Sequence, residues 1–329
     1  MFEFSPDEFR GAGLYAQKNP VKLIVATGNY AHTRLLAEAG READAPEIEW
    51  RPGRPETIFH RALSDDAPFD VTEMSLATTW ALAASDDTRF VAIPVFPSRM
   101  YRLSAFYVRP GIDRPEQLAG GRIGVVRYGQ TAAVWGRAML AERYGIVVSK
   151  MNWWVAERQS FEPNGVHLNV TGSVDALQAM LLDGRLDCLF STSVPQAFRE
   201  GKANRLFPDW PSDERTLFEQ SRALPIMHTV LIRRGLADAH PGLPLLLVNC
   251  FDAARRAALE RLRDTDASTL PVPLHHGWVE TQTRGGAFDA FESGLERNRE
   301  VLAAFASHMH VQGLTPRLIA PEEIFRPSS

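Results

Sequence analysis

The sequence has few cysteines, no excess of basic residues and no long apolar run, and each shortage argues against a class of protein. Only two cysteines, Cys188 and Cys250, occur in 329 residues. Both lie in apolar runs, which favours two reduced, buried thiols over a disulfide. The net charge of −4 argues against nucleic-acid binding, which needs a basic surface. Because no run of about 18 apolar residues is present, we expect no membrane span.

Several common motifs are also absent. Residues 1–17 are acidic and polar, unlike the basic and apolar regions of a secretory signal, so a cytoplasmic protein is expected unless a signal has been removed. The chain has no phosphate-binding loop, no GxGxxG turn, no GxSxG elbow and no HExxH or CxxC pair. These absences argue against nucleotide binding and acyl transfer, and they leave no spacing signature for zinc.

Strand-like and helix-like segments alternate along most of the chain. A first strand is predicted at 21–26, a helix at 131–144, another strand at 186–190 and a long helix at 243–263. This alternation indicates an α/β fold with mainly parallel strands. In such sheets ligands bind beyond the carboxyl ends of the strands, and polar clusters follow several of the strands predicted here.

Two arginines occupy the turn between two β-rich runs. Arg99 and Arg102 lie between the runs at 91–96 and 104–109. A guanidinium presents a planar fork of donors that fits a carboxylate, although a solvated surface turn is an equal alternative. Further along the chain, His228 precedes a third β-rich run, and an imidazole titrates near neutral pH. Together these residues suggest a site for a small acidic molecule.

Longer segments carry a resemblance to one known family. They are IFHRAL (58–63), FDVTEMSL (69–76), VAIPVFPSRMYRLSAFYVR (91–109), TAAVW (131–135) and PIMHTVLIRR (225–234). These segments resemble the 4,5-dihydroxyphthalate decarboxylases, a family that uses the type II periplasmic-binding-protein fold as an enzyme. The similarity runs over most of the chain, to the tail at 322–328. Weaker motifs at 120–125 and 182–187 are shared with many solute-binding proteins of that fold.

The resemblance implies a two-lobed α/β architecture with a ligand cleft between the lobes. Lobe 1 would comprise residues 1–113 and 224–329, and lobe 2 would be the inserted segment 114–223. The implied activity is non-oxidative decarboxylation of a hydroxylated aromatic acid such as 4,5-dihydroxyphthalate, giving a hydroxybenzoate such as protocatechuate. A solute-binding protein for an aromatic or carboxylic acid is the alternative, because the same cleft would serve both functions.

Such a reaction needs an acid over the ring carbon, cations for the retained carboxylate and a dry pocket around the departing one. His228 is the first candidate for the acid and His60 the second, while Glu73 could orient a histidine or accept a catechol hydroxyl. The candidate substrate-binding residues are Arg99, Arg102, Ser75, His32, Tyr128, Gln130, Thr131, Trp135, Ser191 and Thr192. Some have ordinary alternatives: Trp135 suits a core position, and Ser191 and Thr192 suit a turn.

The expected partner is a small aromatic acid, with neither nucleic acid nor membrane, and no organic cofactor is expected. A divalent metal bound by scattered His32, His60, Glu73 or His228 would leave no spacing signature, so the sequence leaves metal binding open. It also leaves open whether the protein forms a homo-oligomer. One segment departs from the family: residues 30–33 read Tyr-Ala-His-Thr where the family tends to have Tyr-Asp-Arg-Thr. We therefore expect the accepted ring substituents to differ.

Overall fold

Strands and helices alternate through the part of the chain that the computed structural model describes, residues 21–39, 45–158, 162–266, 270–283 and 289–325. The strands are β1 (Lys22–Gly28), β2 (Glu47–Gly53), β3 (Val71–Ser75), β4 (Phe90–Arg99), β5 (Phe106–Val108), β6 (Arg122–Val125), β7 (Asn152–Val155), β8 (Leu168–Val170), β9 (Cys188–Phe190), β10 (Asn204–Arg205) and β11 (Ile226–Arg233). The α-helices are α1 (Leu36–Ala39), α2 (Pro55–Leu63), α3 (Leu76–Ala84), α4 (Thr131–Tyr144), α5 (Val174–Leu182), α6 (Gln196–Arg199), α7 (Trp210–Ser221), α8 (Arg234–Ala239), α9 (Leu243–Arg263), α10 (His275–Thr283), α11 (Leu295–Val311) and α12 (Pro321–Ile324).

The strands form two mixed sheets with related orders. The first sheet has the order β2-β1-β3-β11-β4, and the second has the order β10-β5-β9-β6-β7-β8. In the first sheet β11 is antiparallel to both neighbours, and in the second sheet β5 is antiparallel to both neighbours. The remaining pairings in each sheet are parallel. The α/β class with mainly parallel strands therefore agrees with the sequence pattern.

The chain crosses between the sheets twice. It leaves the first sheet at the end of β4 and enters the second at β5, so the first crossing lies within 100–105. It returns between β10 and β11. The predicted first boundary, after residue 113, falls after β5, which pairs within the second sheet, so the lobe boundary itself stays a prediction. The predicted return at 223/224 falls directly before β11.

Helices cover both faces of the first sheet. On one face α9 contributes Leu247 and Phe251 to a cluster with Val71 and Val230. On the other face Trp80 of α3 packs edge-on against Phe305 of α11, with ring centroids 5.5 Å apart. No helix in the described ranges is both long enough and apolar enough to cross a membrane.

The two cysteines lie in different layers. Cys188 is in β9 of the second sheet and Cys250 is in α9, and both side chains are buried. No disulfide joins these two described residues, as the sequence predicted.

Candidate active site

A buried carboxylate stands at one edge of the first sheet. Glu73 of β3 is fully buried. Its Oε2 accepts a hydrogen bond from the Gly28 amide at 2.5 Å. Its Oε1 accepts one from the Tyr30 hydroxyl at 2.8 Å and lies 2.6 Å from His228 Nδ1. The parallel strands β1 and β3 end here, and the antiparallel β11 begins here. This is the edge at which an α/β sheet binds its ligands.

Tyr30 reaches this carboxylate because the chain turns tightly after β1. Its amide donates to the Gly28 carbonyl at 2.9 Å, and its phenol ring folds back over Gly28. A Cβ at Gly28 would lie 2.3 Å from the Tyr30 ring, so a larger residue here would displace the phenol from Glu73. Burial and the Glu73 carboxylate both raise the pKa of Tyr30. The phenol therefore stays protonated and acts as a donor. The candidate residues drawn from the sequence did not include Tyr30, so this role was missed.

His228 has one ring nitrogen bound by protein and the other left for a ligand. Because a carboxylate only accepts hydrogen bonds, the contact with Glu73 places a proton on Nδ1. Phe59 of α2 packs edge-on against the imidazole, with centroids 5.0 Å apart. The side chain keeps 16% of its surface exposed, and no hydrogen bond from the described residues reaches Nε2. Nε2 is therefore the atom that can exchange a proton with a bound molecule.

Arg99 is a buried cation with no salt bridge to a described carboxylate. It is only 7% exposed, and its guanidinium packs over the Phe96 ring at 5.0 Å. Nη2 donates to the Glu292 carbonyl at 3.0 Å, while Nε is buried without a hydrogen-bond partner in the described chain. Burial lowers the pKa of Arg99 to about 9. An uncompensated buried charge is costly, so a carboxylate bound here would relieve that cost.

Arg102 and His32 occupy the neighbourhood of Tyr30. The Arg102 guanidinium is close enough to act on the pKa of Tyr30, but it lines a different cavity, described below. His32 stacks on Tyr30, with ring centroids 5.2 Å apart and planes 3° from parallel. Its Nε2 lies 2.8 Å from the Pro97 carbonyl and donates to it. Burial lowers the pKa of His32, so His32 is a neutral ring that supports Tyr30.

Two predicted residues join the lobes instead of presenting free hydroxyls. The hydroxyls of Ser75 and Thr131 lie 2.8 Å apart, and Thr131 Oγ1 also accepts from the Ala77 amide at 2.9 Å. Ser75 ends β3 and Thr131 begins α4, so this contact closes the space between the two sheets. Gln130, the preceding residue, has a buried Oε1 with no partner among the described residues. This oxygen remains a candidate to accept a hydrogen bond from a ligand.

The hydrogen bonds and ring contacts of four other predicted residues go to groups other than Glu73 and His228. Tyr128 is fully buried under Arg137, whose guanidinium carbon lies 3.7 Å from the ring centroid, so its ring belongs to the core. Trp135 donates from Nε1 to the Ile226 carbonyl at 3.0 Å and packs against Phe305, which agrees with its alternative as a packing residue. Ser191 and Thr192 form a turn: the Ser191 hydroxyl donates to the Ser193 carbonyl at 2.7 Å, and Thr192 is exposed.

The histidines considered as metal ligands do not come together. Only His228 contacts Glu73; His32 bonds to Pro97, and His60 lies on the exposed face of α2. The described residues contain no group of three or more His, Cys, Asp or Glu side chains arranged to hold a metal ion.

Comparison with curated proteins identifies the family. The chain is 34% identical over 322 residues to a 4,5-dihydroxyphthalate decarboxylase of Comamonas testosteroni, a match that covers 94% of this chain and 97% of that protein. The chain belongs to the 4,5-dihydroxyphthalate decarboxylase family. A protein of the same name from Pseudomonas putida is 32% identical over 207 residues, covering 58% of this chain and 79% of that protein. No protein-family model matches. The family resemblance drawn from the sequence is thus confirmed.

Solved structures identify the fold of this family member. The alkanesulfonate-binding protein SsuA of Xanthomonas axonopodis pv. citri superposes with a TM-score of 0.53 and 13% identity, covering 95% of this chain and 100% of that chain. A putative periplasmic sulfonate-binding protein SsuA of Methylobacillus flagellatus gives a TM-score of 0.55 and 15% identity, covering 94% and 92% of the two chains. The periplasmic-binding-protein-like fold predicted from the sequence is confirmed.

Proposed function

We propose that this chain is a cofactor-independent carboxy-lyase that decarboxylates a hydroxylated aromatic dicarboxylate such as 4,5-dihydroxyphthalate, giving a hydroxybenzoate such as protocatechuate. The observation that carries the proposal is the Glu73–His228 contact, which leaves His228 Nε2 for a ligand. Family membership at 34% identity over nearly the whole chain supports the same activity.

The electron pair of the breaking carbon–carbon bond must have somewhere to go. A ring hydroxyl para to the departing carboxylate gives up its proton to solvent and pushes electrons toward the carboxylate-bearing carbon. His228 delivers the proton on Nε2 to that carbon, which gives a dienone. The bond to the carboxylate then breaks, CO2 leaves, and the electron pair restores the aromatic ring and the phenolate, which is reprotonated. Glu73 stabilises the imidazolium before transfer and keeps the ring oriented afterwards.

The retained carboxylate needs a cation, and Arg99 is our candidate. Its Nε has no partner in the described chain, and its burial strengthens any charge-assisted hydrogen bond that it makes. Gln130, with its buried and unpartnered Oε1, is the candidate acceptor for a catechol hydroxyl. His32 stands where the family tends to have arginine, and it stacks on the Tyr30 ring. This difference from the family would therefore affect the bound substrate through Tyr30.

Each step above uses side chains of the chain alone. We propose that no organic cofactor is needed and that a divalent metal is dispensable. Extensive dialysis against a chelator, followed by separate return of Zn²⁺, Mn²⁺ and Mg²⁺, tests this part. Turnover that falls with the chelator and returns with one ion would overturn it.

The activity is tested by incubating the purified protein with 4,5-dihydroxyphthalate and following CO2. His228→Gln should depress turnover by about 10²–10⁴, the range for a lost general acid, while substrate affinity stays within a few-fold. His60→Gln is the matched control, because His60 is exposed on α2, and it should keep turnover. Full turnover in His228→Gln across pH 6–8 would refute the assignment.

A solute-binding protein is the second candidate, because both SsuA structures align over more than nine-tenths of this chain. Ligand capture alone gives no reason for a fully buried carboxylate that accepts three hydrogen bonds and orients a histidine. Tight binding of 4,5-dihydroxyphthalate without CO2 release would favour this second function.

Cytoplasmic location and a homo-oligomeric state are further parts of the proposal. The first follows from an enzymatic role for the fold and is tested by cell fractionation. The second is tested by light scattering on the purified chain.

A further inference from the structure

A second cavity lies away from the Glu73–His228 site. Its volume is about 640 Å³, within the range of small-molecule sites. Helices α4, α7 and α11 form three of its walls, and the two crossing segments together with Phe106 of β5 form the rest. Glu73, His228 and Tyr30 do not line it. The reaction proposed above gives this cavity no role.

The walls of the cavity are largely apolar. The apolar lining includes Leu103, Phe106, Trp135, Met139, Leu217 and Val301. Trp135 already uses its indole N–H on the Ile226 carbonyl, so its ring offers apolar surface. Met139 can adapt to a bound shape because a thioether chain is flexible and polarisable. These walls suit a flat apolar body of one or two rings.

Arg102 is the one partly buried charge in the lining; the other charged lining residues, Glu142, Arg143 and Glu300, are exposed. The Nε of Arg102 is buried without a hydrogen-bond partner in the described chain. Glu214 is near enough to act on the pKa of Arg102, but its Oε1 accepts from the Leu103 amide at 2.9 Å. No described carboxylate lies within salt-bridge distance of Arg102. The exposed Glu142 lines the rim, where it contacts His308 Nε2 at 3.1 Å. An anionic group would complement the interior.

The position of the cavity links it to lobe movement. Its lining takes residues 100–103 from the first crossing and Ala223 and Pro225 from the second. Tyr101 ties the crossings together by donating its hydroxyl proton to the Ala223 carbonyl at 2.6 Å. Arg102 also acts on Tyr30, which holds Glu73. A molecule in this cavity therefore contacts both crossing segments and Arg102.

We propose that this cavity binds an apolar monocarboxylate, with its rings against Trp135 and Met139 and its carboxylate on Arg102, and that occupancy changes turnover at the Glu73–His228 site. The proposal goes beyond the decarboxylation, because binding here needs none of the catalytic residues.

The first test is titration calorimetry with 2-naphthoate, run on protein saturated with phthalate, a dicarboxylate that lacks the hydroxyl needed for reaction. We expect one equivalent of 2-naphthoate per chain in the presence of phthalate. The neutral 2-naphthylmethanol should bind about 10–100-fold more weakly, since it forfeits a charge-assisted hydrogen bond. Arg102→Gln should lose the same factor, whereas Arg143→Gln, at the exposed rim, should change affinity less than 2-fold. One-for-one displacement of 2-naphthoate by phthalate would overturn the proposal.

The second test fills the cavity. Ala304→Trp places an indole inside it, and Ala303→Trp is the matched control on the same helix, exposed but outside the lining. Should Ala304→Trp fail to fold, Gln220→Trp fills the cavity from α7, with Glu219→Trp as its control. Filling should abolish 2-naphthoate binding, and the controls should retain it. Binding that survives filling refutes the site. Binding that leaves wild-type decarboxylation unchanged refutes the coupling. Because binding is read by calorimetry, either result is separate from failure of the decarboxylase assignment.

Discussion

Replacing Glu73 by glutamine tests the catalytic pair most directly. Three donors converge on this carboxylate, from Gly28, Tyr30 and His228. A glutamine offers one oxygen and one NH2 group in their place. If the oxygen keeps the Gly28 amide, the NH2 group faces His228, and Nδ1 must become an acceptor. The imidazole then carries its single proton on Nε2 and loses the anion that stabilised its charged form.

The magnitude follows from what is lost. A hydrogen bond to a charged group contributes about 1.5–3 kcal/mol, and a fully buried carboxylate lies at the upper end of that range. Because about 1.4 kcal/mol is tenfold in rate, this loss corresponds to about 10–10²-fold. We therefore expect kcat of Glu73→Gln to fall by about 10–10²-fold, less than the loss of the acid itself would cost, because Nε2 keeps a proton. KM should change little, because Glu73 is buried behind His228.

The assay is CO2 release from 4,5-dihydroxyphthalate at pH 6, 7 and 8, with thermal unfolding measured on the same sample. Glu49→Gln is the matched control: Glu49 lies in the same sheet, on β2, but its carboxylate is partly exposed and pairs with Arg51. The control should keep full turnover. A folded Glu73→Gln enzyme with wild-type kcat at all three pH values would show that His228 does not depend on Glu73 for catalysis.

Three further substitutions have definite expected outcomes. Tyr30→Phe should lower kcat about 10-fold, because Glu73 loses one of the three donors that hold it in place beside His228; a wild-type kcat in a folded variant would contradict this. Arg99→Ala should weaken substrate binding by about 10–100-fold in equilibrium titrations, and Arg99→Lys should not restore it, since an ammonium lacks the fork. Hydrogen bonds from Arg122 hold the pKa of Asp187 well below its ordinary value, so its stabilisation is present above the unfolded-state pKa and is lost as pH falls through the folded-state pKa. Asp187→Asn should therefore lower the unfolding free energy at pH 7 by about 1–3 kcal/mol in urea melts, while Asp183→Asn, a surface pair, should change it by less than about 0.5 kcal/mol.

The alternation of apolar runs predicted the strands and helices because burial imposes its period on the sequence. The chemistry of the residue types also singled out Glu73, His228 and Arg99. Their meeting could not be predicted, because Glu73 and His228 are 155 positions apart and touch only through the register of β3 and β11. Register depends on long-range packing, which a local pattern does not encode.

The sequence also could not show that two residues close together in the chain belong to different sites. Arg99 and Arg102 are three positions apart, yet β4 ends at Arg99 and Arg102 lies in the crossing that follows. One guanidinium is therefore held against the loop at Glu292, and the other lines the second cavity. Tyr30 was missed for a related reason. Its contact with Glu73 arises from a backward fold over Gly28, and a Gly-x-Tyr turn looks the same whether the ring faces solvent or a buried carboxylate.

The direction of β11 explains why the catalytic pair forms at this edge. Strands β1, β3 and β4 run in parallel, and β11 returns from the second lobe antiparallel to β3 and β4. The first residues of β11 therefore lie where the parallel strands end. Glu73 is fixed by β1 and the Gly28 amide within the sheet, whereas His228 lies directly after the crossing. His228 is itself paired with Ser75 of β3 and Ser98 of β4, so the same sheet holds both members of the pair.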